Sequence, residues 1–197
     1  MSRPLRLRLR SASLFVALTT AIATVAVLGA PGTAFAKAEG LIQATFGRGW
    51  TQDLGENDFR GSLSGGFMTI RFFEDNPSLG IGAAFHGFSP DPDFDTLSLG
   101  VPFVLKTQLF ETDDRKKGWL RPYVSVAPTL FLSAYQEHDT EQELDIGFAS
   151  RVGVHLLVRR SLALVVEYRN SSFRLKNQGI RSWIVTHHSM TGLAYWF

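Results

Sequence analysis

Leu144-Asp-Ile146-Gly-Phe148-Ala-Ser150-Arg-Val152-Gly-Val154-His-Leu156-Leu-Val158 alternates with a period of two residues. Its even positions are apolar except Ser150. Its odd positions are small, polar or charged: Asp145, Gly147, Ala149, Arg151, Gly153 and His155, with Leu157 the exception. Successive side chains on a strand point to opposite faces, so this stretch predicts a β-strand between two unlike environments. The next stretch repeats the pattern, with Leu162, Leu164, Val166 and Tyr168 alternating with Ala163, Val165, Glu167 and Arg169. Arg159-Arg160-Ser161 between the two reads as a hairpin turn.

Working outward, the same alternation runs through Leu120–Ser133 and Leu97–Leu109, with Pro122 and Pro128 weakening the former because proline donates nothing to a ladder. Residues 61–73 and 79–88 are glycine-rich and ambiguous in phase. Eight strands are expected, at about 38–51, 60–73, 79–88, 96–110, 119–135, 142–158, 162–175 and 182–197.

Such strands suit a soluble barrel or sandwich with the oily face inward, or a transmembrane barrel with that face on lipid. Three features favour the membrane. The strands exceed the usual globular length and match what a bilayer requires. Charged residues on the polar faces are flanked by Gly, Ala and Ser, as a narrow packed interior demands. Aromatics such as Trp50, Phe73, Trp119, Trp183, Tyr195 and Phe197 sit near strand ends, like interfacial girdles. The expected fold is therefore all-β: a closed antiparallel transmembrane barrel of about eight strands in an up-and-down meander.

The N-terminus supports export. Basic residues Arg3 to Arg10, an apolar run from Leu14 to Leu28 and the small-x-small site Ala34-Phe-Ala36 have the order of a secretory signal peptide. Residues 1–36 are read as cleaved and 37–197 as the barrel domain. Four of the 20 basic residues and none of the 18 acidic ones precede Lys37, so the remainder carries a formal net charge of −2. The basic balance of the whole chain is thus no argument for nucleic-acid binding. There is no cysteine, so disulfides do not staple the fold. No peptidoglycan-binding domain is expected beyond the last strand.

The chain ends Met190-Thr-Gly192-Leu-Ala-Tyr195-Trp-Phe197. With Trp119-Leu-Arg-Pro-Tyr-Val, Glu167-Tyr-Arg and Thr186-His-His, it resembles the OmpA-like, opacity-type small outer-membrane barrels over residues 119–197. Met190 departs from the polar residue usual there. The resemblance implies an outer-membrane location in a Gram-negative bacterium, contact with lipopolysaccharide and other outer-membrane lipids, and an insertion signal at Gly192, Tyr195 and Phe197 read by the barrel-insertion machinery. Both ends of the barrel would then be periplasmic. Outer loops are expected at 52–59, 89–95, 136–141 and 176–181, open to an extracellular ligand.

The phase places Glu39, Gln43, Lys106, Arg121, Tyr123, Asp145, Arg151, His155, Glu167 and Arg169 inward. Among them Lys106, Arg121, Asp145, Arg151, Glu167 and Arg169 are the candidate interior charge cluster. Buried charges must pair, so Arg121, Arg151 and Arg169 are expected to share Glu167 in a polar plug. A structural, adhesion or surface-interaction role follows, with a narrow channel as one alternative.

No catalytic, metal or cofactor site is expected. His187-His188-Ser189 splits across the two faces of a strand and is expected near a loop or interface. Glu167-Tyr-Arg-Asn170-Ser-Ser172-Phe173 faintly resembles the His-x-Ser-Asn motif of lipid A deacylases. Asn170 stands where the histidine base belongs and Phe173 where the asparagine belongs, which implies a degenerate relative at most. The Asp91-Pro-Asp93-Phe-Asp95 loop reads as a solvated acidic turn.

Overall fold

The computed structural model describes residues 38–54, 58–91, 94–110, 119–135, 141–177 and 180–197. The segment read as a signal peptide lies outside the described residues. So do 111–118 and, of the expected outer loops, residues 55–57, 92–93, 136–140 and 178–179.

Among the described residues nine strands form one antiparallel sheet: β1 (Gly40–Asp53), β2 (Asp58–Phe72), β3 (Leu79–Asp91), β4 (Phe94–Gly100), β5 (Phe103–Lys106), β6 (Leu120–Tyr135), β7 (Glu141–Leu157), β8 (Leu162–Asn177) and β9 (Ile180–Trp196). Each pairs with its neighbours, and β1 pairs with β9, so the sheet closes on itself. Strands β4 and β5 share one position between β3 and β6, which makes an eight-position barrel.

The single strand expected at 96–110 is thus interrupted, and proline chemistry explains where. Pro102 has no N–H, and the residue facing the break on β6 is Pro128. The Val101 amide donates to the Pro128 carbonyl at 3.2 Å, and no N–H of Pro128 can answer it. Strand β6 stays continuous through both its prolines because their carbonyls still accept, Pro122 from the Thr107 amide at 3.0 Å.

The register fixes the barrel's shape. The pairs Gly40↔Arg71, Arg71↔Ile81, Ile81↔Phe103, Phe103↔Val126, Val126↔Ser150, Ser150↔Asn170, Asn170↔His187 and His187↔Trp50 run once round the barrel and return ten residues further along β1. Eight positions with that stagger tilt the strands about 40° from the axis and set a radius of about 8 Å. The lumen is therefore only wide enough for side chains.

Alternation decides what fills it. Leu144, Ile146 and Phe148 look outward at 67%, 69% and 67% exposure, whereas Arg121, Arg151 and Glu167 look inward at 0%, 5% and 4%. Leu164, Val166, Val124 and Val126 join the outward belt. The barrel is inside-out relative to a soluble protein, as a lipid-facing wall requires. Among the described residues no helix is long and apolar enough to cross a membrane.

The ambiguous second and third strands take a definite phase. Ser62, Ser64, Met68, Ile70 and Phe72 face inward from β2, and Ala84, His86 and Phe88 from β3. The strands also reach further than expected at the end away from Gly40. Strand β8 continues to Asn177, and only residues 178–179 separate it from β9. Residues 92–93 alone separate β3 from β4. The expected outer loops at 89–95 and 176–181 are in large part strand.

Candidate functional site

The lumen is built in layers. At the end where β1 starts and β9 finishes, Leu41, Ile70, Phe72, Val104 and Trp196 form an apolar floor. Two cations pack against the faces of the Phe72 and Trp196 rings. Lys106 Nζ lies 4.0 Å from the Phe72 ring centre and 4.7 Å from that of Trp196, and the Arg121 guanidinium lies 4.3 Å from the Trp196 ring centre. Both cations bind Glu39: Arg121 Nη1 is 3.1 Å from Oε1, and Lys106 donates to Oε2. Ring faces and one shared carboxylate offset the cost of taking two cations out of water.

The next layer centres on Glu167. Its Oε2 accepts from Tyr123 Oη at 2.5 Å and from Gln43 Nε2 at 2.8 Å, and Thr45 Oγ1 lies 3.4 Å from Oε1. Gln43 Oε1 accepts from His155 Nε2 at 2.9 Å, and the His155 ring stacks on Tyr123 with centres 4.5 Å apart. The amide acceptor fixes the proton on Nε2 of His155.

Arg151 and Arg169 face each other across the β7–β8 pair. Neither takes Glu167 as a hydrogen-bond partner. Arg151 Nη1 donates to Met68 Sδ at 2.6 Å, and Arg169 donates to Ser98 Oγ at 3.1 Å and Ser171 Oγ at 3.4 Å. The expected sharing of Glu167 by three arginines is therefore corrected. Arg121 has its own carboxylate in Glu39, and Glu167 is satisfied by neutral donors. Asp145 stands apart from the cluster. It is half-buried nearer the far end of β7, where its Oδ1 accepts from the Ile146 amide at 2.8 Å.

Above the arginines His86 and His188 meet edge to face, with ring centres 5.3 Å apart, and Ser62 Oγ is 2.7 Å from His188 Nε2. A second apolar plate of Phe88, Phe131, Phe173 and Ile184 closes this end, with Phe131 and Phe173 stacked at 4.3 Å. The interior is thus not one polar plug but polar layers between two apolar plates. Sequence reasoning missed the upper plate, Met68 and the His86–His188 contact. Each depends on the phase of β2 or β3, or on which inward residues share a height.

The histidine pair separates as expected by face, but His188 lies deep in the lumen at 0% exposure and not near a loop. His187 is on the outer wall. Its Nδ1 is 2.6 Å from Tyr168 Oη and 3.1 Å from Asn170 Nδ2, and its ring stacks on Trp50 at 5.1 Å. Asn170 and Ser172 also face outward and are half-buried, whereas Phe173 points into the lumen. Among the described residues no group of three or more His, Asp or Glu side chains is placed to hold a metal ion.

In the terminal strand Tyr195 and Phe197 face outward and stack at 6.3 Å, and the Arg71 guanidinium covers the Phe197 ring at 4.5 Å. Gly192 has a local reason of its own. A β-carbon there would stand 1.9 Å from the Ala44 carbonyl oxygen on β1. No side chain fits that approach.

No family model matches the sequence, and no curated protein shows significant similarity to it. Solved structures do match. Neisserial surface protein A (NspA) superposes with a TM-score of 0.63 at 14% identity, covering 79% of this chain and 96% of that one. This chain shares its fold with small outer-membrane β-barrels. The N-terminal β-barrel domain of Pseudomonas aeruginosa OprF matches with a TM-score of 0.51 at 9% identity, covering 81% of this chain and 97% of that one. Ail, the attachment invasion locus protein of Yersinia pestis, also matches at 0.51, with 12% identity and coverage of 81% and 99%. At these identities the likeness concerns the fold.

Proposed function

We propose that this chain is an integral outer-membrane barrel of the OmpA-like, opacity type, exported from the cytoplasm of a Gram-negative cell by a cleaved N-terminal signal. Its role is structural or surface-interactive and non-catalytic. One observation carries the membrane reading. The oily faces of the strands look out and the charged faces look in, and only a bilayer makes that arrangement stable. The N-terminal pattern, the terminal Gly192–Tyr195–Phe197 arrangement and the likeness in fold to outer-membrane barrels support the location and recognition by the insertion machinery. The strand ends near Gly40 and Trp196 then face the periplasm, and the far rim faces outward.

NspA is by name a surface protein and Ail an attachment and invasion protein. Those roles are theirs, and they support a surface role here. Apolar plates at both ends of the lumen speak for a packed strut over a channel. The altered motif at Asn170 and Phe173 speaks against deacylase chemistry, and among the described residues no hydrogen bond joins Ser172 to His187.

The test is gel mobility of the membrane-extracted protein with and without boiling, together with protease treatment of intact cells. Faster migration when unboiled and cleavage confined to the far turns are expected. A protein that fractionates as soluble periplasmic material overturns the proposal.

A further inference from the structure

We infer that the outer wall of β8, β9 and β1 carries a binding site for a phosphorylated glycolipid of the outer leaflet. The site rests on the membrane reading above and names its lipid partner. Two adjacent cross-strand rows build it. One is Ser150–Asn170–His187–Trp50 and the other is Val152–Tyr168–Ser189–Arg48. Their alternate neighbours Arg151, Arg169 and His188 are buried in the lumen, so all eight side chains look outward.

These groups interrupt an otherwise oily belt. At a tilt of about 40°, Leu63 on β2, Leu99 on β4, Leu130 on β6 and Phe148 on β7 lie at roughly the height of Arg48. All four are exposed and apolar. Among the described residues at that height, the wall turns polar on the β8–β9–β1 sector. The polarity is organised. Tyr168 and Asn170 both direct donors at His187 Nδ1, at 2.6 and 3.1 Å. An amide nitrogen can only donate, so Nδ1 accepts and the ring proton of the neutral imidazole sits on Nε2. Trp50 stacks on His187 with ring centres 5.1 Å apart and fixes the plane of the imidazole.

What this arrangement can bind follows from its order along the wall. Phe46, Val166 and Leu193, exposed on the same three strands nearer the periplasmic end, suit acyl chains. The amide, hydroxyl and imidazole groups above them suit the hydroxyls and ester carbonyls of a sugar headgroup, and the indole gives a face for a sugar ring. Exposed Arg48 on the adjacent row supplies the planar guanidinium that recognises phosphate. Chains below, sugar beside and phosphate at the arginine describe one lipid.

The experiment measures retention of labelled lipid A, a bisphosphorylated glucosamine disaccharide lipid, by the full chain purified from membranes into phosphatidylcholine nanodiscs. Saturable one-site retention is expected. Arg48→Gln is expected to weaken it at least tenfold, and Asn170→Ala severalfold. Arg160→Gln, an exposed charge in the near-end turn, is expected to leave it unchanged. Phosphatidylglycerol at equal mole fraction is expected not to compete. Retention that does not saturate, equal retention by Arg48→Gln, or competition by phosphatidylglycerol on equal terms overturns the site while leaving the barrel intact. Failure to form a heat-modifiable barrel overturns the membrane reading on which the site rests.

Discussion

Replacing Glu167 by alanine tests the interior reading most directly. The carboxylate is 4% exposed and accepts from Tyr123 at 2.5 Å and Gln43 at 2.8 Å. Each hydrogen bond to a charged acceptor contributes about 1.5–3 kcal/mol; without the carboxylate the buried Tyr123 hydroxyl loses its acceptor, while Gln43 Nε2 keeps the Tyr123 oxygen at 3.2 Å. The 3.4 Å contact with Thr45 is too long to add much. Removing a buried charge also returns its own desolvation cost, so the net loss is about 3–5 kcal/mol, as for other broken buried pairs. Glu167→Gln keeps an acceptor oxygen and is expected to cost only about 1–2 kcal/mol. The assay is urea unfolding in phospholipid vesicles, followed by unboiled gel mobility and tryptophan fluorescence. Tyr123→Phe combined with Glu167→Gln in a double-mutant cycle isolates the Tyr123–Glu167 coupling. If Glu167→Ala unfolds within about 0.5 kcal/mol of wild type, the range of a neutral surface change, the carboxylate is not held as described and the layered-lumen account fails.

Other expectations follow from the same geometry. Val166→Arg puts a cation on the lipid face and is expected to destabilise the barrel by about 2–4 kcal/mol in vesicles, while Ser161→Arg in the near-end turn is expected to be nearly silent. Gly192→Ala forces a β-carbon against the Ala44 carbonyl and is expected to lower the folded fraction recovered from membranes, read by unboiled mobility. Phe131→Ala with Phe173→Ala removes the stacked pair of the upper plate; conductance events in planar bilayers are expected to rise above those of a silent wild type.

Strand positions were legible because a two-residue period is a local property. Leu144 to Val158 announces both its existence and its faces, and the structure keeps them. Height is not local. Whether Arg121 meets Glu39 or Glu167 depends on the ten-residue stagger, which is set only when the whole ring closes. Period two marked both carboxylates as inward and could not rank them. The same limit hid the upper plate, whose Phe88, Phe131 and Phe173 come from three distant strands. The break at Val101–Pro102 needed knowledge of what lies across the ladder, since the two prolines of β6 left that strand whole while Pro102, next to the Val101 that faces Pro128, split its neighbour.

The strands that feed Glu167 give it a part in assembly. Tyr123 lies on β6 and reaches it from within the C-terminal half of the chain, but Gln43 and Thr45 belong to β1. With β1 detached from β9, the carboxylate keeps only its tyrosine partner and the floor lacks Leu41. Joining the first strand to the last completes both at once. The seam is therefore a latch that tightens as it shuts, and a half-zipped intermediate carries an under-satisfied anion that drives it toward the finished ring.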